Sequence, residues 1–316
     1  MIYFRLHPSP PLMKPVRILL SSLLLAIPGL AANDDPWITR PQPLSEHLGV
    51  RRTVTPVALP PNPDAAWQKK AETVRPMATD RPDQTDGVYT VPKGMFQFET
   101  GLFNYSRRLD TDYRNEAFIW GEVNAKYGLT DSIDLQLIWQ AWAENRYRGD
   151  PGNGEPGYYR EGVNDLVARV KFNLFGNDGG SWAMSVVPFV KIPTAKHKIG
   201  NDMWEGGVSI NSEIDLGGGF TLGNTLYSQI LADNDDTLHF SPTVTAVLGY
   251  EVTDSFVVYG EIFGQNRVDT ERYWQTSFDA GFMYSITPNV IFDAGANWFF
   301  RGDEAINPFV GLSWRF

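Results

Sequence analysis

From about residue 94 to the last residue, polar and apolar side chains alternate with a period of two, in stretches of about ten residues. In residues 205–216, Gly206, Val208, Ile210, Ser212, Ile214 and Leu216 fall on one side, and Glu205, Gly207, Ser209, Asn211, Glu213 and Asp215 on the other. Successive side chains of a strand point to opposite faces, so the pattern specifies strands with one apolar face. It recurs in Ile133, Leu135, Leu137, Trp139 and Ala141 against Asp134, Gln136 and Gln140. It recurs again in Leu166, Ala168, Val170, Phe172 and Leu174 against Asp165, Arg169, Lys171 and Asn173. Residues 240–251 repeat it, with Val244, Ala246, Leu248 and Tyr250 facing away from Thr243, Thr245 and Glu251. About twelve such segments begin near residues 94, 115, 132, 163, 182, 203, 219, 237, 255, 272, 289 and 305. Each is long enough for a tilted crossing of a bilayer, which takes roughly 9–11 residues.

The expected fold is therefore all-β, an antiparallel transmembrane β-barrel of about 12 strands with an extended N-terminal segment. A barrel with lipid outside and water inside averages to middling hydropathy, which fits 42% hydrophobic residues and a mean hydropathy of -0.27. The 10 Trp, 13 Tyr and 19 Phe are enough for aromatic girdles at two interfaces. An even strand count places both ends of the barrel in the periplasm, joined by tight turns there and by longer polar connections outside, such as 145–162. The tight turns carry a weak repeat, Tyr-x-apolar-Thr followed by turn formers, at Tyr127–Ser132, Tyr250–Ser255 and Tyr284–Asn289.

The two ends of the chain complete the organisation. Lys14 and Arg17 precede an apolar run from Ile18 to Leu30 and small residues at Ala31 and Ala32, so residues 1–32 read as a secretory signal, with Met13 a plausible true start. Residues 33–90 carry Pro36, Pro41, Pro43, Pro56, Pro60, Pro61, Pro63, Pro76 and Pro82 and read as an extended periplasmic linker or a partial plug of the barrel mouth. The barrel takes residues 91–316. Its last strand alternates Ile306, Pro308, Val310, Leu312, Trp314 and Phe316 with Asn307, Phe309, Gly311, Ser313 and Arg315. A terminal Phe on such a strand resembles the signal read by the barrel assembly machinery, which with outer-membrane lipids is an expected partner. The expected location is the outer membrane of a Gram-negative-type bacterium.

Composition also excludes chemistry. With no cysteine there is no thiolate site, and the four histidines, His7, His47, His197 and His239, share no ligand spacing. No metal or cofactor is expected, and no enzymatic activity. The net charge of -10 becomes more negative once residues 1–32, with Arg5, Lys14 and Arg17 and no acid, are removed, which disfavours nucleic acid.

The segment Thr79-Asp80-Arg81-Pro82-Asp83-Gln84-Thr85-Asp86, with Val91-Pro92-Lys93-Gly94-Met95-Phe96-Gln97-Phe98-Glu99 after it, resembles the barrel entry of outer-membrane transporters named after the meta-pathway of phenol degradation. Gly162-Val163-Asn164-Asp165 and Ile192-Pro193-Thr194-Ala195 are similar to that family's Gly-x-Gly-Asp and Pro-Thr-Gly elements, with Asn164 and Ala195 in place of glycines. The resemblance covers roughly residues 79–316. It implies a transporter-like barrel for small molecules, including aromatic or other apolar compounds, and marks Asp80, Arg81, Pro82 and Asp83 as motif residues.

Translocation candidates come from the inward face: Glu99, Glu122, Lys126, Asp134, Asp165, Arg169, Lys171, Lys191, Glu205, Glu213, Glu251, Asp293 and Arg301, with Glu144, Asp215, Glu261, Asp279 and Arg315 in the same rows. These charges either line a wet path for a small-molecule solute or pair across the barrel as a packed network, a structural barrel in effect. Two other readings have some footing in the residues. His239 and Ser241 stand two apart on one strand, a spacing reminiscent of an outer-membrane lipid hydrolase, without an evident acid to orient the histidine. Tyr158, Tyr159 and Arg160 sit in the longest expected loop, where they would gate a pore or hold a surface ligand.

Overall fold

The computed structural model describes residues 74–316 except for 110–113, 149–156, 196–198, 233–235, 269–271 and 302–305. The expected signal segment and residues 33–73 of the expected linker lie outside the described residues.

Fourteen strand segments follow one another: β1 Phe96–Leu109, β2 Arg114–Gly128, β3 Ile133–Arg148, β4 Tyr158–Gly162, β5 Leu166–Phe175, β6 Trp182–Ile192, β7 Glu205–Gly217, β8 Phe220–Ala232, β9 Leu238–Phe240, β10 Thr243–Thr253, β11 Phe256–Val268, β12 Arg272–Thr287, β13 Val290–Arg301 and β14 Ile306–Arg315. They form twelve staves, because β4 and β5 both pair with β3, and β9 and β10 both pair with β8. Each interruption has a local cause. Pro242 supplies no ladder N–H between β9 and β10. Between β4 and β5 one backbone bond remains, from Asn164 N–H to the Gln140 carbonyl at 3.3 Å, and the Asn164 side chain takes up the rest, donating to Gln140 Oε1 at 2.6 Å and accepting from the Asp165 N–H at 2.8 Å. All pairings are antiparallel and β14 closes on β1, with Phe96 and Phe316 exchanging two backbone hydrogen bonds of 2.9 Å.

The barrel is polar inside and apolar outside. Gln97, Glu99, Lys126, Asp134, Lys171, Asn211, Gln265, Gln275 and Asp279 are buried, whereas Leu135, Ile210, Leu226, Leu248 and Ile262 are exposed. Such an outer surface suits acyl chains. Aromatic rings ring both ends: Phe96, Trp182, Phe220, Tyr250, Tyr284 and Phe316 near the chain termini, Trp120, Trp142, Trp274 and Trp298 toward the other. The three Tyr-x-apolar-Thr turns share one bond: Thr130, Thr253 and Thr287 each accept, on Oγ1, the N–H two residues on, at 3.2–3.3 Å. Short turns belong to the periplasmic side of outer-membrane barrels, so these turns, with Phe96 and Phe316 beside them, mark that end.

Three expectations change. The connection expected at 145–162 begins and ends as strand, since β3 runs to Arg148 and β4 covers Tyr158–Gly162, with Tyr147 stacked on Tyr158 at 5.1 Å. Glu144 does not face the lumen. The register passes from Glu122↔Gln140 to Trp120↔Trp142, skipping Gly121 and Ala141, with Gly121 at φ 63, a conformation glycine adopts without steric cost. One residue is passed over in each strand, so their register is unchanged but the facing of both reverses: Ala143 and Asn145 turn inward, and Glu144 stands outside beside Trp142, bonded to Arg146 at 2.7 Å. Arg301 is displaced in the same way: Ser277 pairs with Phe299 and Thr276 with Arg301, so Phe300 is skipped and Arg301 leaves the inward row, exposed.

Candidate functional site

Residues 74–95 fold back into the barrel as a loop. Pro76, Pro82 and Pro92 deny it a regular ladder, so its backbone N–H groups need other partners. The wall supplies them. Asp80 N–H donates to Glu99 at 3.0 Å, Gln84 N–H to Glu261 at 2.7 Å, Asp86 N–H to Thr225 at 3.0 Å, Thr90 N–H to Asn177 at 3.1 Å and Val91 N–H to Asp134 at 2.9 Å. The neck of the loop closes at the periplasmic rim, where Arg75 Nη2 donates to the carbonyls of Thr90 at 2.9 Å and Asp131 at 2.8 Å. The polar lumen is thus a matched lining for a specific segment.

Charge fixes the loop's orientation. Asp80 lies between Lys126, at 2.6 Å, and Lys171, and Lys126 also meets Glu99. Burial pushes the Asp80 carboxyl upward, but Lys126, Lys171 and Arg169 outweigh it and hold the group far below the usual carboxylate range. Asp86 pairs with Arg169 at 2.5 Å and accepts from Ser209 at 3.0 Å. On the opposite wall Arg81, cis to Pro82, pairs with Asp293 at 2.8 Å and lies 6.0 Å from the Phe309 ring centroid. Its guanidinium fills space that Gly101 and Gly311 leave open; a methyl group at Gly311 would collide with it. Tyr89 donates to Glu213 at 2.8 Å. Gln84 Nε2 reaches Asp279 at 3.0 Å, and Thr85 Oγ1 meets Glu261 at 2.5 Å and Thr245 at 2.6 Å.

Of the expected translocation residues, Glu99, Lys126, Asp134, Arg169, Lys171, Glu213 and Asp293 bond directly to the loop. Glu122 accepts from Gln140 at 2.7 Å. Asp165, Lys191 and Glu205 form a separate group, with Lys191 3.3 Å from Asp165 and 3.0 Å from Glu205; Asp165 also accepts the Ala195 N–H at 2.9 Å. Glu251 is exposed at the terminal end of β10, and Arg301 has left the lumen row as described. Ser241 Oγ donates to the Asn266 carbonyl at 2.5 Å, which commits the hydroxyl to backbone and not to His239. Arg75 and Thr90, which close the neck with Asp131 of the first turn repeat, carry no motif or periodicity that marks them in the sequence.

A closed antiparallel barrel of twelve staves, polar within and apolar without, with its own N-terminal loop in the lumen, is an outer-membrane β-barrel. The chain belongs to the family described as "Putative MetA-pathway of phenol degradation", whose model matches residues 79–316. The match begins at the lumen loop and ends on Phe316. Among solved structures the fold is similar to the COG4313 outer membrane channel from Pseudomonas putida F1, at 14% identity and TM-score 0.58, covering 72% of this chain and 98% of that one. Weaker likenesses include the CymD monoaromatic hydrocarbon channel, at 8% identity and TM-score 0.43 over 72% of this chain and 89% of that one. The Ralstonia pickettii toluene transporter TbuX follows, at 9% identity and TM-score 0.39 over 72% and 90%. No curated protein matches by sequence.

Proposed function

We propose that this protein is an outer-membrane channel for small solutes whose lumen is occluded by its own residues 74–95. The observation that carries the reading is the way loop residues 79–91 bond to inward side chains of β1, β2, β3, β5, β7, β8, β10, β11, β12 and β13, across the path a solute would take. The solute class is small aromatic or other apolar compounds, supported by membership of a family tied to phenol degradation. Passage requires the loop to shift, because its bonds to these strands lie across the path a solute would take.

The test is liposome swelling and single-channel conductance on the purified full chain. Wild type is expected to pass little, and a variant that loosens the loop, Arg81→Ala, to pass more. Equal and negligible flux in both would favour the second reading, a structural barrel with a permanently packed lumen, which the closely paired loop and wall charges also fit.

A further inference from the structure

Most ionised side chains of the loop meet an opposite charge on the wall. Asp80 has Lys126 and Lys171, Asp86 has Arg169 and Arg81 has Asp293. The tip of the loop is different. Glu261 of β11 and Asp279 of β12 are direct cross-strand partners on the inward face, with their carboxyl groups within hydrogen-bonding reach of each other. Asp83 stands beside them on the loop, next to Gln84, which bonds to both. Among the described residues no lysine or arginine bonds to any of these carboxyls, the Asp83 carboxyl makes no hydrogen bond, and Asp279 Oδ1 is buried without a partner.

We propose that Asp83, Glu261 and Asp279 form a proton-binding site that holds the loop in the lumen, so that losing these protons as pH rises drives the loop out. Two carboxyl groups in contact need a proton between them, because both cannot stay ionised at that separation. A shared proton supplies the donor that Asp279 Oδ1 lacks. The two oxygens of Glu261 already accept from Gln84 N–H and Thr85 Oγ1, so the pair is tied to the seated loop. Burial pushes the Asp83 carboxyl well above its ordinary range, and Asp279, Asp80, Glu213 and Asp86 push it further in the same direction.

Other charged groups around the tip set the sign. Tyr259 and Glu261 of β11, Asp279 of β12 and Glu213 of β7 face it, with Asp293 of β13 held by Arg81, Asp80 and Asp86 held by Lys126, Lys171 and Arg169, and Tyr227 of β8 beside Asp86. A group raised in the seated state contributes fully below its free value, about 4 for a carboxyl, and its contribution fades as pH climbs through the seated value. Asp80 is depressed, so its contribution is present above about pH 4 and fades only on acidification. Above about pH 4 the Asp80 anchor therefore stays constant, and the change in seating with rising pH belongs to the tip.

This inference rests on the loop being an occluding element, and the experiment separates the two. Amide hydrogen exchange of residues 79–90 in the full-length barrel, corrected for the intrinsic rate, reports seating whether or not anything conducts. Single-channel open probability reports the pore. Wild type is expected to show exchange and opening that both rise with pH, by up to about tenfold per pH unit for each proton released. Asp83→Asn, alone and with Glu261→Gln, mimics the protonated groups and is expected to flatten both profiles at the protected, closed level. Asp83→Asn changes only the loop, so it remains informative if the wall variant fails to fold. A pH-independent wild-type exchange profile, or an unchanged slope in Asp83→Asn, overturns the proposal. So does protection that follows added calcium or its chelation at fixed pH, since a metal cation would then be neutralising the site. Rising exchange without conductance would uphold the proton site and sink the channel reading.

Discussion

Arg81 and Asp293 stand 212 residues apart in the sequence and 2.8 Å apart in the lumen. The first belongs to a loop that crosses no membrane, the second to β13 of the wall, so the pair is a measure of where the loop sits. Asp293 is almost fully buried, whereas Arg81 keeps some exposure.

Arg81→Ala is expected to free the loop at its acidic wall. Removing one partner of a buried pair leaves the other charge uncompensated, at a cost of about 3–5 kcal/mol when burial is complete and less here, because Arg81 is partly exposed. Flux in the swelling assay should rise several-fold, and the charge exchange Arg81→Asp with Asp293→Arg should return part of the occlusion. Unchanged flux in the single variant would show that this pair does not hold the loop.

Asp80→Asn should be the more damaging change. It leaves Lys126 and Lys171 buried without the carboxylate that bridges them. The barrel itself is then strained as well as the loop, so the temperature at which the folded band is lost on unboiled gels should fall further than in Arg81→Ala. A smaller fall would mean that the lysines relax toward water.

Gly311→Val tests the space under the guanidinium. A side chain there meets the atoms of Arg81, so the substitution should loosen the loop without removing a charge. Conductance close to that of Arg81→Ala is the expected result, and the double variant should add little beyond either alone.

Ser241→Ala is expected to leave any transport intact and to lower stability by about 1 kcal/mol, the worth of one hydrogen bond to a carbonyl. An esterase activity that the parent shows and this variant loses would restore the hydrolase reading and displace the structural role of Ser241.

The strand order was legible because a period of two is a property of each strand alone, and expected starts near 132, 182, 255, 272 and 289 stand within one residue of β3, β6, β11, β12 and β13. What alternation cannot mark is a skipped residue. Glu144 and Arg301 leave the inward rows at Ala141 and Phe300, since a passed-over residue changes the facing of everything beyond it without altering the composition. The loop posed a different problem. Its Asp-rich motif stood out, yet that Asp80 would choose Lys126 and Lys171, or Arg81 the space over Gly311, depends on which staves face each other across the lumen.

The loop precedes β1 in the chain, but Glu261, Asp279 and Asp293 arrive on β11, β12 and β13, and the gap is shut only when Phe316 meets Phe96. Half of the loop's berth therefore does not exist while the sheet is still an open ribbon. Synthesis and insertion must run nearly to the last residue before residues 79–90 can settle, so a berthed loop certifies a finished cylinder. At low pH, where the finished barrel holds its loop seated, a protease or antibody that reaches Arg81 would then report unfinished assembly.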